Sequence, residues 1–202
     1  LELEKILSED NNKQAKLTPV SKSGQEDHLD DYKDAIELMF FAYRDFISDP
    51  DLILSDHGFG RAHHRVLHFV GYNPGLSIAE LLDILQVTKQ SLARILRDLI
   101  DMDYIRQEIG EDDRRKRLLY LSKKGRNLHK ELLSPQINRF ADVLQTIGPE
   151  KFSAWKDVMR GVISESNRET VDAHIERARK ETADIYSSPV VDISQKKSDQ
   201  AH

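Results

Sequence analysis

Apolar residues recur at three- and four-residue intervals along most of the chain, and alternation of the strand type appears in one short region. From Asp31 to Ser48, Tyr32, Ala35, Ile36, Met39, Tyr43, Phe46 and Ile47 trace a helical stripe, and Leu38, Phe40, Phe41 and Ala42 fill much of the remaining surface. A terminal helix apolar nearly all round buries its second face outside the local domain, and a second copy of the chain is the simplest partner. Gly60 to Gly71 carries Val66, Leu67, Phe69 and Val70 at helical spacing before a turn at Asn73, Pro74 and Gly75. Ser77 with Glu80 forms a capping box ahead of Ala79, Leu81, Leu82 and Leu85, which predicts a helix of about two turns.

Thr88 is the expected N-cap of the next helix, whose buried stripe is Leu92, Ile95, Leu96, Leu99 and Ile100. Lys89, Gln90, Ser91, Arg94 and Arg97 fall on its other face. Two short helices joined this way form a helix-turn-helix pattern. After Asp103, the run from Tyr104 to Ile109 alternates like a half-buried strand, and Leu118 to Leu121 is its expected partner across a polar connection. A helix-turn-helix feeding such a hairpin is a winged helix. Ser122 caps a further helix through Leu128, Leu132 and Leu133, which Pro135 is expected to kink or reset before Ile137, Phe140, Ala141 and Leu144. Beyond Gly148 and Pro149, Phe152, Trp155, Val158, Met159, Val162 and Ile163 define another helix, read as running on through Val171, Ile175 and Ala178.

Charge sharpens this picture. The 202 residues carry a formal net charge of -5, which by itself does not suggest a nucleic-acid partner. Residues 1–60 hold 6 basic and 14 acidic side chains, whereas residues 88–126 hold 11 basic and 7 acidic, a net of +4. Arg114, Arg115, Lys116 and Arg117 cluster there, followed by Lys123, Lys124 and Arg126. At physiological salt the Debye length is about 8 Å, so a ligand at the hairpin feels these cations more than the distant acidic start. The absence of cysteine excludes disulfides and thiolate metal sites. No apolar run approaches the ~20 residues that span a bilayer, and the polar start lacks a signal-peptide layout, so no membrane partner and a cytoplasmic location are expected.

The wing sequence from Gly110 through Asp112, Asp113, Arg114, Arg115, Lys116, Arg117, Leu118, Leu119, Tyr120, Leu121 and Ser122 to Gly125 resembles that of the MarR family of bacterial winged-helix regulators. Family members carry an Asp-Arg-Arg wing, a short apolar strand, Leu-Thr and Gly; Ser122 stands here for the threonine and keeps the hydroxyl. The resemblance covers residues from about 34 to 165, and the stretch from Gly60 to Leu67 with Lys89 to Arg94 is similar to a proteobacterial branch of the family. It implies a mainly α fold, a winged helix-turn-helix with a two-stranded wing and N- and C-terminal dimerisation helices.

The resemblance also implies a homodimeric transcriptional regulator that reads a palindromic site on double-stranded DNA. Recognition helices would then sit about 34 Å apart in the major groove, with wings in the minor groove. In that role Gln90, Ser91 and Arg94 are candidates for base edges, and Lys89 and Arg97 for phosphates. Family precedent points to Arg115 or Arg114 in the minor groove, with Asp113 pairing an arginine to hold the wing, and Lys116, Arg117, Lys123 and Lys124 adding backbone attraction. Expected dimer contacts are Tyr32, Ile36, Met39, Phe40 and Tyr43 at one end and Phe152, Trp155 and Met159 at the other. The expected division is an arm over 1–31, a dimerisation helix and connection over 32–60, the DNA-binding domain over 61–126, dimerisation helices over 127–186 and a tail over 187–202.

His57, His63, His64 and His68 suggest metal, but they lack a His-Glu-x-x-His pattern, and no metal or cofactor is expected. They either contribute hydrogen bonds or line a regulator pocket for a small-molecule effector; Arg61 and Arg65 either receive an anionic ligand or make intrachain ion pairs. Arg61, His64, Arg65 and His68 are therefore the candidate ligand-binding set. No nucleophile elbow or phosphate loop is present, so no enzymatic activity is expected. The alternatives to a DNA-binding regulator are a winged-helix module that binds protein, and a ligand sensor without DNA binding.

Overall fold

The computed structural model describes residues 28–182. Its elements run α1 (Leu29–Asp56), α2 (Arg61–Tyr72), β1 (Leu76–Ser77), α3 (Ile78–Leu85), α4 (Lys89–Asp101), β2 (Ile105–Ile109), β3 (Arg117–Leu121), α5 (Lys123–Ile147), α6 (Pro149–Val162) and α7 (Glu165–Thr182). The arm expected over 1–31 yields its last three residues to α1, and residues 1–27 lie outside the described residues, as does the tail.

The chain separates into two units at Asp45 and Phe46. The first carries the N-terminal half of α1, where Tyr32, Ile36, Leu38, Met39, Phe40, Phe41 and Tyr43 are all exposed. Its polar side is tied locally by Lys33 to Asp30 at 3.0 Å, and Arg44 lies 4.9 Å from the centre of the Phe41 ring.

In the second unit, α1 continues past the expected end at Ser48 and runs through Pro50. Proline cannot donate to the carbonyl four residues back. The Gln136 amide on α5 donates to that carbonyl, of Phe46, at 3.4 Å, so the helix continues without an orphaned acceptor. The lobe core closes around Leu54, Val66, Leu67, Val70, Leu81, Leu92, Leu99, Leu119, Leu128 and Leu132. These are the end of α1 and the helical stripes of α2 to α5, together with the inner face of the hairpin.

The sheet has three strands in the order β1-β3-β2, one more than the expected two-stranded wing. Leu76 and Ser77 pair antiparallel with Leu119 and Leu118, while Ile105 to Ile109 pair with Leu121 to Arg117. The capping box at Ser77 forms as expected: its hydroxyl accepts from the Glu80 N–H, and the Glu80 carboxylate accepts from the Ser77 N–H at 2.8 Å. Pro135 does not reset α5, which is continuous from Lys123 to Ile147 and so crosses the expected domain boundary at 126. The continuous C-terminal helix, by contrast, breaks at Ile163. There the Arg168 guanidinium of α7 donates to the Ile163 and Gly161 carbonyls at 3.1 and 3.2 Å, satisfying the acceptors that close α6.

Candidate nucleic-acid interface and ligand cavity

The turn between α3 and α4 is set by Gln86, which ends α3 in the left-handed conformation with φ 51°, and by Thr88. The Thr88 oxygen accepts the Ser91 N–H at 3.2 Å, and its hydroxyl donates to the Ser91 hydroxyl at 2.9 Å. Because α4 turns Leu92, Ile95, Leu96 and Leu99 inward, Lys89, Gln90, Ser91, Arg94 and Arg97 are all exposed on its outer side. Gln90, Arg94 and Arg97 follow i, i+4, i+7 and share one face. The acidic neighbour on the same helix, Asp98, faces His63 at 3.4 Å instead.

The hairpin tip is a self-bonded turn. Gly110 N–H donates to the Lys116 carbonyl at 3.1 Å, and Lys116 N–H donates to the Asp113 carbonyl at 2.9 Å. Asp113 was expected to pair with an arginine side chain; its carboxylate instead accepts the backbone N–H of Arg115 at 2.9 Å, which fixes the turn without using a guanidinium. Arg117 is likewise committed, donating to the Arg114 carbonyl at 2.9 Å. Arg114, Arg115 and Lys116 are exposed at the tip. Among the described residues, none of Lys89, Arg94, Arg97, Arg114 and Arg115 forms an ion pair with a carboxylate.

Part of the basic run has structural work at the base of the hairpin. Lys124 donates to the Met102 carbonyl at 3.0 Å and lies 4.2 Å from the centre of the Tyr104 ring. Gly125 is required by a close approach, since a Cβ there would stand 2.0 Å from the Tyr104 carbonyl oxygen. This contact seats the first turn of α5 against the start of β2 and fixes where the wing leaves the lobe.

The four candidate ligand residues share one face of α2, with the His64 and His68 rings 6.3 Å apart, but they do not line one cavity together. Arg61 pairs with Asp51 at 2.8 Å, and Arg65 donates to the Leu85 carbonyl at 2.9 Å. His64 is half-buried, and of the four only His68 reaches the larger cavity, of about 870 Å³, between α2, α3 and α7. Phe69 and Tyr72 from α2, Ile84 from α3, and Val171 and His174 from α7 share its walls with His68. The α7 residues were missed because that segment reads only as weakly amphipathic; the signal was Val171, Ile175 and Ala178 at i, i+4 and i+7. Contacts that hold α7 here include Asn73 to His174 at 3.3 Å, Arg177 to Glu80 at 3.4 Å and the Phe69 ring 5.1 Å from that of His174. Burial raises the Glu80 pKa, but its hydrogen bonds from Ser77 and the charges of Arg177 and Lys116 outweigh that and leave it below the usual value. Burial pushes His68 down to about 3, helped by His129, His64 and His174, and pushes His129 down to about 4. Among the described residues no group of three or more His, Asp or Glu is placed to hold a metal ion.

The expected dimer residues divide. Tyr32, Ile36, Met39, Phe40 and Tyr43 are exposed, Phe40 at 71%. Phe152 and Trp155 of α6 join Phe140 and Phe46 in an intrachain aromatic cluster with ring centres 5.3 to 6.0 Å apart. Trp155 is still 38% exposed, Met159 is half-buried, and α6 has no buried residue.

A capped recognition helix with an outward cationic face, followed by a basic-tipped hairpin on the same core, defines a winged helix-turn-helix of the DNA-binding type. Residues 57–116 match the MarR family. The HTH-type transcriptional regulator PetP of Rhodobacter capsulatus is 43% identical over 133 residues, covering 66% of this chain and 80% of that protein. The chain therefore belongs to the MarR family of transcriptional regulators, which are DNA-binding proteins and not enzymes. Solved structures share its fold, two of them as follows. Staphylococcus aureus MarR, in complex with salicylate and kanamycin, has a TM-score of 0.54 at 21% identity over 65% of this chain and 89% of that one. A mutant Escherichia coli MarR complexed with operator DNA has a TM-score of 0.50 at 16% identity over 63% and 92%. No described helix is long and apolar enough to cross a membrane.

Proposed function

We propose that the protein acts as a homodimer that reads a palindromic operator. Gln90, Ser91 and Arg94 contact base edges in the major groove, Lys89 and Arg97 contact phosphates, and Arg115 with Arg114 enters the minor groove. Asp113 holds the tip that presents them, and Lys116 and Arg117 add attraction for the backbone. The observation that carries this reading is the set of exposed cations on α4 and the hairpin tip that have no described carboxylate partner. Unpaired cations on a rigid frame are suited to displacing counterions from a polyanion. One short helix and one wing cover only a half-site, so two copies are required; the exposed apolar side chains of the N-terminal half of α1 supply surface for joining them, and Trp155 of α6 is a separate candidate.

Selection of bound duplexes from a random pool tests the reading. A palindromic consensus is expected, with binding lost in Arg94→Ala and Arg115→Ala chains that still fold and dimerise. Recovery of no sequence, or binding insensitive to both changes and to salt, overturns it.

The cavity beside α7 favours an added response to a small, largely apolar effector. Its walls include part of α3, so a bound molecule bears directly on the first helix of the helix-turn-helix. A thermal-shift screen of small aromatic compounds, followed by operator titration with each binder, checks this. If binders at Tyr72 and His174 leave operator affinity unchanged, the response is absent.

A further inference from the structure

A second cavity, of about 180 Å³, lies at the root of the hairpin, between the end of α2, the start of α5 and the two long strands. Its polar walls are Arg106, Tyr120, Arg126 and His129, set against Val70 and Pro74, and no carboxylate lines it. None of the four belongs to the DNA-facing set or to the larger cavity.

Arg106 and Tyr120 are cross-strand partners, with the guanidinium 5.5 Å from the ring centre. The Arg106 Nε lies 3.5 Å from the Glu108 carboxylate, whereas among the described residues Arg126 forms no ion pair. Arg126 donates through Nη1 to the Leu121 carbonyl at 2.9 Å, which anchors it while leaving other N–H donors. His129 is 3% exposed, yet its Nε2 has no hydrogen-bond partner. A buried polar atom left unpaired costs about 1–3 kcal/mol, so a polar partner that reached this nitrogen would recover that cost. The ring lies over Gly71, where a Cβ would stand 2.6 Å from its Cε1. With burial holding its pKa near 4, followed by the lesser effect of His64, the imidazole is neutral at pH 7 and carries one N–H.

We propose that this cavity binds a small free oxyanion of the phosphate, sulfate or carboxylate class, held by Arg106, Arg126, the Tyr120 hydroxyl and the Nε2–H of His129. Guanidinium forks match the geometry of such oxygens, and the buried imidazole supplies a donor that water does not compete for. Size sets the upper limit. Cavities for drug-sized ligands begin near ~300 Å³, so this one admits an ion or a small acid and excludes a nucleotide.

The test is calorimetric titration of the full chain, without DNA, using sodium phosphate, sulfate and acetate at constant ionic strength against chloride, alongside ¹⁵N–¹H spectra of the histidine rings. Saturable binding of at least one of the three is expected, with a shift of the His129 ring signals. Arg106→Gln and Arg126→Gln should each weaken it about tenfold or more, the loss of one charge-assisted donor. Absence of saturable binding, or static His129 signals on saturation, overturns the proposal, and the ring signals give that answer in the unaltered chain whether or not the variants fold. A duplex arm separates the two sources of phosphate. Operator affinity is expected to survive Arg126→Gln while phosphate binding weakens by that factor. If duplex binding falls in step with phosphate binding and the two compete, the cavity takes a backbone phosphate and the free-oxyanion proposal fails.

Discussion

The outer face of α4 and the N-terminal half of α1 are both helical and both exposed, yet their chemistry is opposite. The first carries Lys89, Arg94 and Arg97 above a stripe of buried leucines and isoleucines; the second carries Ile36, Met39, Phe40 and Tyr43 with no buried residue before Ile47. On α4, exposure is the normal outcome of amphipathicity, and what stands out is the lack of carboxylate partners. On α1, exposed rings and aliphatic groups forfeit about 25 cal/mol for each Å² left in water. A surface of the first kind suits a highly charged ligand, and one of the second kind suits a covering protein.

Breaking the apolar surface should have the largest effect. Ile36→Glu with Phe40→Glu is expected to give a monomer by analytical ultracentrifugation and to weaken operator binding about a thousandfold, because the linked second half-site is lost. Intact dimers with unchanged affinity would show that α1 is not the joining surface.

Acid should act on the lobe instead. His68 and His129 are held neutral when folded, so the unfolded chain binds more protons below its ordinary histidine pKa of about 6.5. Stability is therefore complete above that value and falls as pH drops toward about 4 and then 3. At pH 5 the loss is about 2 kcal/mol for each imidazole. Urea unfolding at pH 7 and pH 5 reads it, and His68→Asn should flatten the profile.

Within the cationic surface the effects are smaller. Arg94→Ala should cost about 1–3 kcal/mol and relax sequence preference at one position, measured by fluorescence anisotropy on altered duplexes. Arg115→Ala should reduce the slope of log affinity against log salt by about 1 if it meets a phosphate, and alter preference for A·T steps if it enters the groove. The smallest change is expected from Asp113→Ala. It removes one tip hydrogen bond worth about 1 kcal/mol and should raise amide exchange at Arg115 while leaving the melting temperature nearly unchanged.

The lobe was legible in the sequence because its signals are local. The Ser77–Glu80 capping box, the Thr88 cap and the stripe from Leu92 to Leu99 each specify an element within one or two turns. What escaped depends on contacts between distant residues. Nothing near Pro50 announces that Gln136, 86 positions later, will satisfy the Phe46 carbonyl, and nothing near Ile163 fixes a helix end except Arg168 reaching back. The partners of Arg61 and Arg65 were hidden for the same reason: both look available until Asp51 and the Leu85 carbonyl are placed beside them. Strand β1 is two residues long and has no alternation to read; its pairing exists because β3 lies next to it.

The bonds that Asp113 and Arg117 make within the hairpin tip bear on kinetics as well as shape. A loop that becomes ordered only on contact loses about 1–2 kcal/mol of backbone entropy for each residue it fixes. A tip already fastened to itself has met much of that cost during folding. Capture of a partner by the wing should then be fast and show a small entropic penalty, with discrimination residing in how long the partner stays.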